Sequence, residues 1–350
     1  MSEFAELHAE LRAVARDVLG KAGPEPVSWD SIARAGWIGL EASEEFDGAG
    51  AGFAEAAVLF EEIGRAAART PLPSVLALSI PALAAIQPDE RRDNLFREAI
   101  AGETVPIVVL EPGFRIEDGC VHGAAEFVLD APVADLLLIL VGTAIAVVDP
   151  ANVVVTETPL VDATRSVGSV AAAGAAVRAL WPVPELAGLR DRAALAVACD
   201  SLGVAEAMLD ATVSYAKVRE QFGRPIGSFQ AVKHACADML VTVTVGRHLT
   251  AAAVRAVAEG GPDARIAVAR ATVYATEAAV DVAGKAMQLH GGYGYTWESG
   301  IHVYLKRATM NRALFGSCDG HGLELGCFHQ SAPTAIGSAA RSEPDGTRSS

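Results

Sequence analysis

The hydrophobic pattern divides the chain into three stretches of different period. Over 1–102 apolar positions recur at helical spacing: Phe4, Leu7, Leu11 and Val14 share a face, 32–40 is a short apolar segment, and 54–65 reads as an amphipathic helix with Glu61 and Glu62 exposed. Between these helices lies a glycine-rich loop, 44–52. Over 103–187 the pattern becomes short β-prone runs broken by turn residues, among them VPIVVLEPG, CVHGAAEFVL, ADLLLILV and NVVVTETPL. Six or seven strands with no helix between them predict an antiparallel sheet or barrel, not a parallel nucleotide-binding sheet. Over 188–330 the helical period returns in segments at 190–217, 228–259, 263–289 and 301–314, with Gly260-Gly261-Pro262-Asp263 as a stop-and-start signal. Long helices with short links predict a bundle. The fold class is therefore α+β: an N-terminal helical domain, a middle antiparallel β domain and a C-terminal four-helix bundle. The polar stretch 331–350 reads as a disordered tail.

Composition narrows the function classes. The 350 residues are 51% hydrophobic and 20% charged, enough apolar material for a cofactor-sized interior. A formal net charge of −15 gives no basic footprint for nucleic acid. An anionic ligand would need local Arg or Lys. The longest apolar run, 136–148, is shorter than the roughly 18 residues that span a bilayer, and the acidic amphipathic N-terminus does not read as a secretion signal. A cytoplasmic protein without membrane partners is expected. The five cysteines are odd in number and without a CxxC pair, so neither a disulfide framework nor a metal site is expected.

Two segments carry candidate chemistry. The first, Arg219-Glu220-Gln221-Phe222-Gly223-Arg224-Pro225-Ile226-Gly227-Ser228-Phe229-Gln230, follows a long helix, where a guanidinium can fork onto a pyrophosphate. The second runs from Gln288 through Gly291, Gly292 and Gly294 to Glu298; its glycines let backbone N–H groups approach an anionic diphosphate. The first is similar to "RxQFGxPIGxFQ" and the second to "QxHGGxGYTWE" of the acyl-CoA dehydrogenase family. Trp37 to Leu40, Glu44 to Gly50 and Glu61-Glu62-Ile63-Gly64-Arg65 resemble further stretches of that family. The resemblance runs from about residue 29 to 326. It implies FAD as cofactor, an acyl-CoA substrate, an electron-transfer flavoprotein as partner, and a homo- or hetero-dimer or tetramer. Arg219, Gln221, Phe222, Phe229, Gln230, Gln288, Gly291, Gly292 and Gly294 are its implied cofactor-binding residues. In the family the two segments come from different subunits and meet on the ADP half of FAD.

Elsewhere the match is weaker. Leu110-Glu111-Pro112-Gly113 resembles "TEPG", whose backbone in the family lies against the flavin and the acyl chain, but the loop that follows is shortened. Phe127-Val128-Leu129-Asp130-Ala131 falls at a "WITNA"-like strand, and Asp162-Ala163-Thr164-Arg165 matches a "D.TR" element that alone reads as a solvated turn. Dehydrogenation next to a thioester requires a base for the α-proton, a carboxylate in the family. Its commonest place, a late "YEGT", here reads Leu314-Phe315-Gly316-Ser317 and puts Phe315 where the Glu belongs. Some members of the family carry the base on an earlier bundle helix, and by that resemblance, counting from Ala237-Asp238-Met239 with Arg247 as a check, Glu259 is the candidate base, with Asp319 as fallback. The remaining alternative is a chain without a base, the cofactor-completing subunit of a heteromer. Such paired subunits resemble actinobacterial enzymes of steroid-derived CoA esters, and the Ala-rich composition fits a high-GC bacterium. An oxygen-using relative, an acyl-CoA oxidase or flavin monooxygenase, is the third alternative.

Overall fold

A computed structural model describes residues 3–22, 25–183 and 187–315. The N-terminal helices are α1 (Glu3–Ala22), α2 (Trp29–Arg34), α3 (Phe53–Arg65), a continuous run of α4 (Leu72–Ser74), a π turn (Val75–Ser79) and α5 (Ile80–Ala85), and α6 (Glu90–Ala101). Arg12 Nη2 donates to Glu61 Oε2 at 3.0 Å, Arg16 donates twice to Glu62 at 2.9 Å, and His8 meets Glu55 at 2.7 Å. These pairs dock α1 on α3. Glu62 is therefore buried and Glu61 half-buried, not exposed as the pattern suggested: the helix face that looks solvent-facing by period faces another helix.

The middle domain holds β1 (Pro106–Val109), β2 (Arg115–Glu117), β3 (Cys120–Leu129), β4 (Leu136–Val141), β5 (Ala144–Val148), β6 (Val154–Glu157) and β7 (Val167–Pro182). Strand order is β1-β4-β5-β7-β3-β2, with β6 also paired to β7. The first half of β7 pairs with β3 and β6, the second half with β5, so one sixteen-residue strand carries both parts of the sheet. All these pairings are antiparallel except β1 with β4, which is parallel and corrects the all-antiparallel expectation. The β2–β3 hairpin between them brings the chain back beside β1 in the same direction. All four residues of β1 and the first four of β4 are buried, as strands covered on both faces read.

The C-terminal part is α7 (Ala187–Val218), a hairpin of β8 (Glu220–Gln221) and β9 (Arg224–Pro225), α8 (Gln230–Glu259), α9 (Ala264–His290), a 3-10 turn (Gly291–Tyr295) and α10 (Ile301–Ala313). Thr272 Oγ1 donates to the Ala194 carbonyl toward one end of the α7/α9 pair, and Tyr215 stacks on His290 at the other. The two helices therefore run parallel, with α8 returning between them.

Two glycines set how closely α3 crosses α7. A Cβ on Gly64 would lie 2.0 Å from the Asp200 carbonyl oxygen, and one on Gly203 would lie 1.9 Å from the Glu61 carbonyl oxygen. Only backbones without side chains reach that separation, and the crossing delivers Asp200 to the meeting point of all three domains. There Arg307, fully buried on α10, donates through Nε to Asp200 Oδ1 (2.9 Å) and through Nη1 to the Ala68 carbonyl (3.1 Å) and Thr164 Oγ1 (2.8 Å). Asn311 donates to Asp200 at 2.6 Å, and Arg165 donates to Asn311 Oδ1 at 2.8 Å and pairs with Asp200 at 3.3 Å. Burial raises the Asp200 pKa, but the two guanidiniums outweigh it and hold the carboxyl below its ordinary range. The 162–165 turn is thus the middle domain's share of a buried network, not a solvated turn. Beside it Asp130 accepts from Ser74 Oγ at 2.5 Å, and its burial pushes its pKa from 3.8 up to about 6.

Two outcomes follow from this packing. Gly203→Ala, which in an open helix would gain about 1 kcal/mol, is expected to cost about 1–3 kcal/mol by forcing α3 and α7 apart, read as a lower midpoint in chemical unfolding. Asp130, with a raised folded-state pKa, binds its proton more tightly folded than unfolded, so its contribution to stability is present at low pH and lost as pH rises from about 4 to about 6. Asp130→Asn is expected to remove that loss: its stability relative to the parent chain should climb across the window, by on the order of 3 kcal/mol at most, in unfolding titrations at each pH.

Candidate functional site

Where the β domain meets the bundle, a cleft of about 240 Å³ opens. Its walls are the end of β1 with the residues after it (Val108, Leu110, Glu111), the end of β3 (Phe127, Val128, Leu129), Ser74 and Leu78 of the α4–α5 run, Arg190 of α7, and Ala313, Leu314 and Phe315 at the end of α10. Three segments that lie far apart in sequence, LEPG, FVLDA and ALF, thus converge on one space. A much smaller hollow of about 20 Å³ adjoins it, sharing Ser74, Leu78, Leu129 and Phe315 and adding Arg165 and Asp200 from the buried network.

Nine of the twelve described residues that line the cleft are apolar, and Ser74, Glu111 and Arg190 bring polar surface into it. Arg190 donates through Nη2 to the Leu110 carbonyl at 2.8 Å and so fixes the start of the LEPG turn. Burial raises the Glu111 pKa, partly offset by its own backbone N–H, the Arg190 charge and the Leu110 N–H. Phe127 is 43% exposed and offers an uncovered ring. Phe315 is one of the wall residues, in the place where the resemblance expects a Glu.

The opposite end of the bundle presents different chemistry. Because α7 and α9 run parallel, the segment after α7 and the segment after α9 emerge side by side. The Tyr215 ring stacks on His290 at 4.3 Å between centroids and lies within 6° of parallel to Tyr293 at 5.8 Å. Arg219, Gln221, Phe222 and Gln230 are exposed on or beside the β8–β9 hairpin, as are Gln288, Gly291 and Gly292 after α9. Phe229 is half-buried under the Arg224 guanidinium, 4.3 Å from its centroid, and meets Phe222 edge-on. Gly291 has φ +59 and ψ −142, a conformation open to glycine alone, and a Cβ there would meet nothing within 4 Å. Gly294 differs: it is buried, and a Cβ would press on His290 and Met287 at 3.1–3.2 Å. His290 is also buried, its Nδ1 donating to the Ala286 carbonyl.

These features fit a dinucleotide. Open glycine backbone would leave room for a diphosphate, exposed Arg219 and Arg224 would balance its charge, and exposed Phe222, Tyr295 and Trp297 would give flat faces for a ring system. The end of α7 that leads into the first motif segment stacks on the second within one chain, through Tyr215 on His290 and Tyr293.

The candidate bases fall elsewhere. Glu259 is the last residue of α8, exposed ahead of Gly260, and it does not line the cleft. The helix end that makes it countable in sequence also turns it to solvent. Asp319 lies outside the described residues. Ser74 and Arg190 are cleft residues that sequence reading missed. The available signal for Ser74 was a hydroxyl set between Leu72, Pro73, Val75 and Leu76 in an otherwise apolar helix. Among the described residues no His, Cys, Asp and Glu cluster could hold a metal, and no helix is long and apolar enough to cross a membrane.

Comparison with known proteins gives the same assignment. Residues 1–103 match the model of the acyl-CoA dehydrogenase N-terminal domain, and residues 190–322 match that of the acyl-CoA dehydrogenase C-terminal domain. The chain is 33% identical over 317 residues to acyl-CoA dehydrogenase IpdE2 of Mycolicibacterium smegmatis, covering 90% of this chain and 92% of that one. It is 32% identical to acyl-CoA dehydrogenase IpdE2 of Mycobacterium tuberculosis, covering 89% of each. Among solved structures, a variant of the Tcur3481-Tcur3483 steroid ACAD superposes with a TM-score of 0.83 at 28% identity, covering 93% of this chain and 98% of that one. The ChsE4-ChsE5 complex from Mycobacterium tuberculosis does so with 0.83 at 28%, covering 95% and 99%. With its helix–sheet–helix architecture, its cleft and its two motif segments, the chain belongs to the acyl-CoA dehydrogenase family of FAD-dependent enzymes.

Proposed function

We propose that this chain binds FAD and a CoA thioester and catalyses α,β-dehydrogenation of the acyl group, passing the electrons to an electron-transfer flavoprotein. The observation that carries the reading is the convergence of LEPG, FVLDA and ALF on one cleft, with the arginine-led hairpin and the glycine segment both following helices that end at the far end of the same bundle. When bound, FAD supplies the hydride acceptor for the substrate's β-carbon. Arg219 and the Gly291–Gly292 backbone would hold its diphosphate, and Phe127 would offer a face to its ring system. Leu78, Val108, Leu110 and Leu129 would give the acyl carbon atoms apolar contact.

The acyl group favoured is steroid-derived, because the steroid ACAD is 28% identical to this chain over nearly its whole length. Assembly is favoured by the outer face of α8, where Leu240, Val241 and Val245 are exposed on adjacent turns. The neighbouring ChsE4-ChsE5 structure is a complex of two chains, which supports a hetero-oligomer. Phe315 in the cleft wall favours a second reading, a subunit that completes a cofactor or substrate site on a catalytic partner.

Purified full-length protein is expected to be yellow, with an oxidised-flavin absorption band that bleaches on anaerobic addition of a steroid-derived acyl-CoA. Arg219→Ala should raise the FAD dissociation constant about tenfold or more, as loss of a charge-assisted contact of about 1.5–3 kcal/mol implies, measured by fluorescence titration of the apoprotein. A colourless protein that gains flavin only on mixing with a partner chain would establish the second reading. Unchanged FAD affinity would remove Arg219 from the site.

A further inference from the structure

We infer that the small hollow adjoining the cleft reads a ketone oxygen at the far end of the acyl group, and that Arg165 is the residue that donates to it. The inference rests on the cleft being the acyl site, and it names the class of acyl group: one with a neutral carbonyl remote from the thioester.

The hollow shares its walls with the cleft. Ser74, Leu78, Leu129 and Phe315 line both, so a group lying in the cleft can extend into it. Its further lining includes Ala77 of the π turn and Ala193 and Ala196 of α7, whose small side chains leave space between the two helices. At about 20 Å³ it admits roughly one water-sized group and no longer stretch of chain. A wholly apolar hollow of that size would suit a methyl group. This one also holds two charged residues, Arg165 and Asp200.

Of the two, only Arg165 has bonding capacity to spare. Asp200 Oδ1 accepts from Arg307 Nε and from Asn311, while Oδ2 accepts from Arg307 Nη2 and faces Arg165 at 3.3 Å, so both oxygens are committed. Arg165 meets Asn311 and Asp200 through Nη2, and its buried Nε has no hydrogen-bond partner among the described residues. With the side chain only 9% exposed, bulk water does not satisfy that donor, and a buried donor left unpaired is destabilising. Ser74, on the shared wall, gives its proton to Asp130. The hollow therefore presents a donor in need of an acceptor.

Charge selects which acceptor. The guanidiniums of Arg165 and Arg307 already face the carboxylates of Asp200 and Asp162, with Asp130 close to Arg165 as well. A carboxylate on the acyl group would bring an unmatched negative charge into this buried space, whereas a ketone brings an acceptor and no charge. The 162–165 turn then contributes a specificity-determining side chain as well as a link between domains.

The test uses FAD-loaded full-length protein and three 2,3-unsaturated product esters, which bind without reducing the flavin: 3-cyclohexylacryloyl-CoA, its 4-oxo form and its 4-carboxy form. Isothermal titration gives a dissociation constant for each. The oxo ester is expected to bind at least about tenfold more tightly than the plain ester, the ratio that one hydrogen bond from a charged donor supplies, and more tightly than the carboxy ester. Arg165→Lys keeps a cation beside Asp200 but loses the planar fork, and should bring the oxo-to-plain ratio to within about twofold of one. A purely structural loss would weaken both esters together and leave their ratio unchanged. Ala196→Leu fills the hollow from α7 with Arg165 in place and should remove the ratio likewise, which keeps the assignment testable where Arg165→Lys does not fold. Equal affinity of the parent chain for the oxo and plain esters overturns the inference alone, as does tighter binding of the carboxy ester. An unchanged ratio in folded Arg165→Lys, or in Ala196→Leu, overturns the role of Arg165 and of the hollow. A parent chain that binds none of the three esters overturns the reading of the cleft itself, and this inference with it.

Discussion

A buried Asp200 carboxylate must be paired, because an isolated charge in a protein interior costs several kcal/mol. Arg307 and Asn311 of α10 donate to it, Arg165 of the β domain adds a second cation, and the Ala68 carbonyl of the N-terminal region closes the far side of Arg307. The α3–α7 glycine crossing delivers the carboxylate to that point. The bundle supplies the hydrogen bonds that Asp200 accepts, and its partner Arg307 reaches on to the Ala68 carbonyl and Thr164 while Arg165 adds a second cation, so one network links the three domains. The cleft is a consequence of that arrangement, since its walls come from all three and its adjoining hollow touches Arg165 and Asp200 directly.

The bundle divides labour along its length. Toward the N-terminal end of α7 it meets the β domain and forms the cleft, where apolar side chains surround a few polar ones. At the other end, where α7 and α9 both finish, it offers cations, open glycine backbone and exposed aromatic faces, suited to a charged and flat ligand. The parallel course of α7 and α9 makes this separation possible: two antiparallel helices would have put the motif segments at opposite ends. The exposed apolar face of α8 runs between the two regions, so a partner chain seated there would lie alongside both.

Within the cleft the chemistry is sparse, and that sparseness is informative. A ring in place of an acid at the end of α10 removes one ionisable group, and the LEPG turn supplies another from the facing wall. Cation and carboxylate, Arg190 and Glu111, then lie on the same side as the β3 platform carrying Phe127. The neighbouring acids are withdrawn from this space by the network and by Ser74.

The sequence by itself determined the elements and the family. Helical period gave 190–217 against the observed Ala187–Val218, and strand alternation with turn residues found six of the seven strands of the middle sheet, because local period records which face an element buries. The Arg219 and Gly291 segments were legible because their residue types have few other uses in that order. Only the tertiary structure decided what those faces meet. It turned Glu61 and Glu62 inward against α1, placed β4 parallel to β1, drew the 162–165 turn into a buried network, and left Glu259 in solvent. Ser74, Arg190 and Glu111 became neighbours only through long-range packing. Period and motif specify a surface, whereas burial and pairing depend on the partner surface, which is distant in sequence and exists only once the three domains have closed on Asp200.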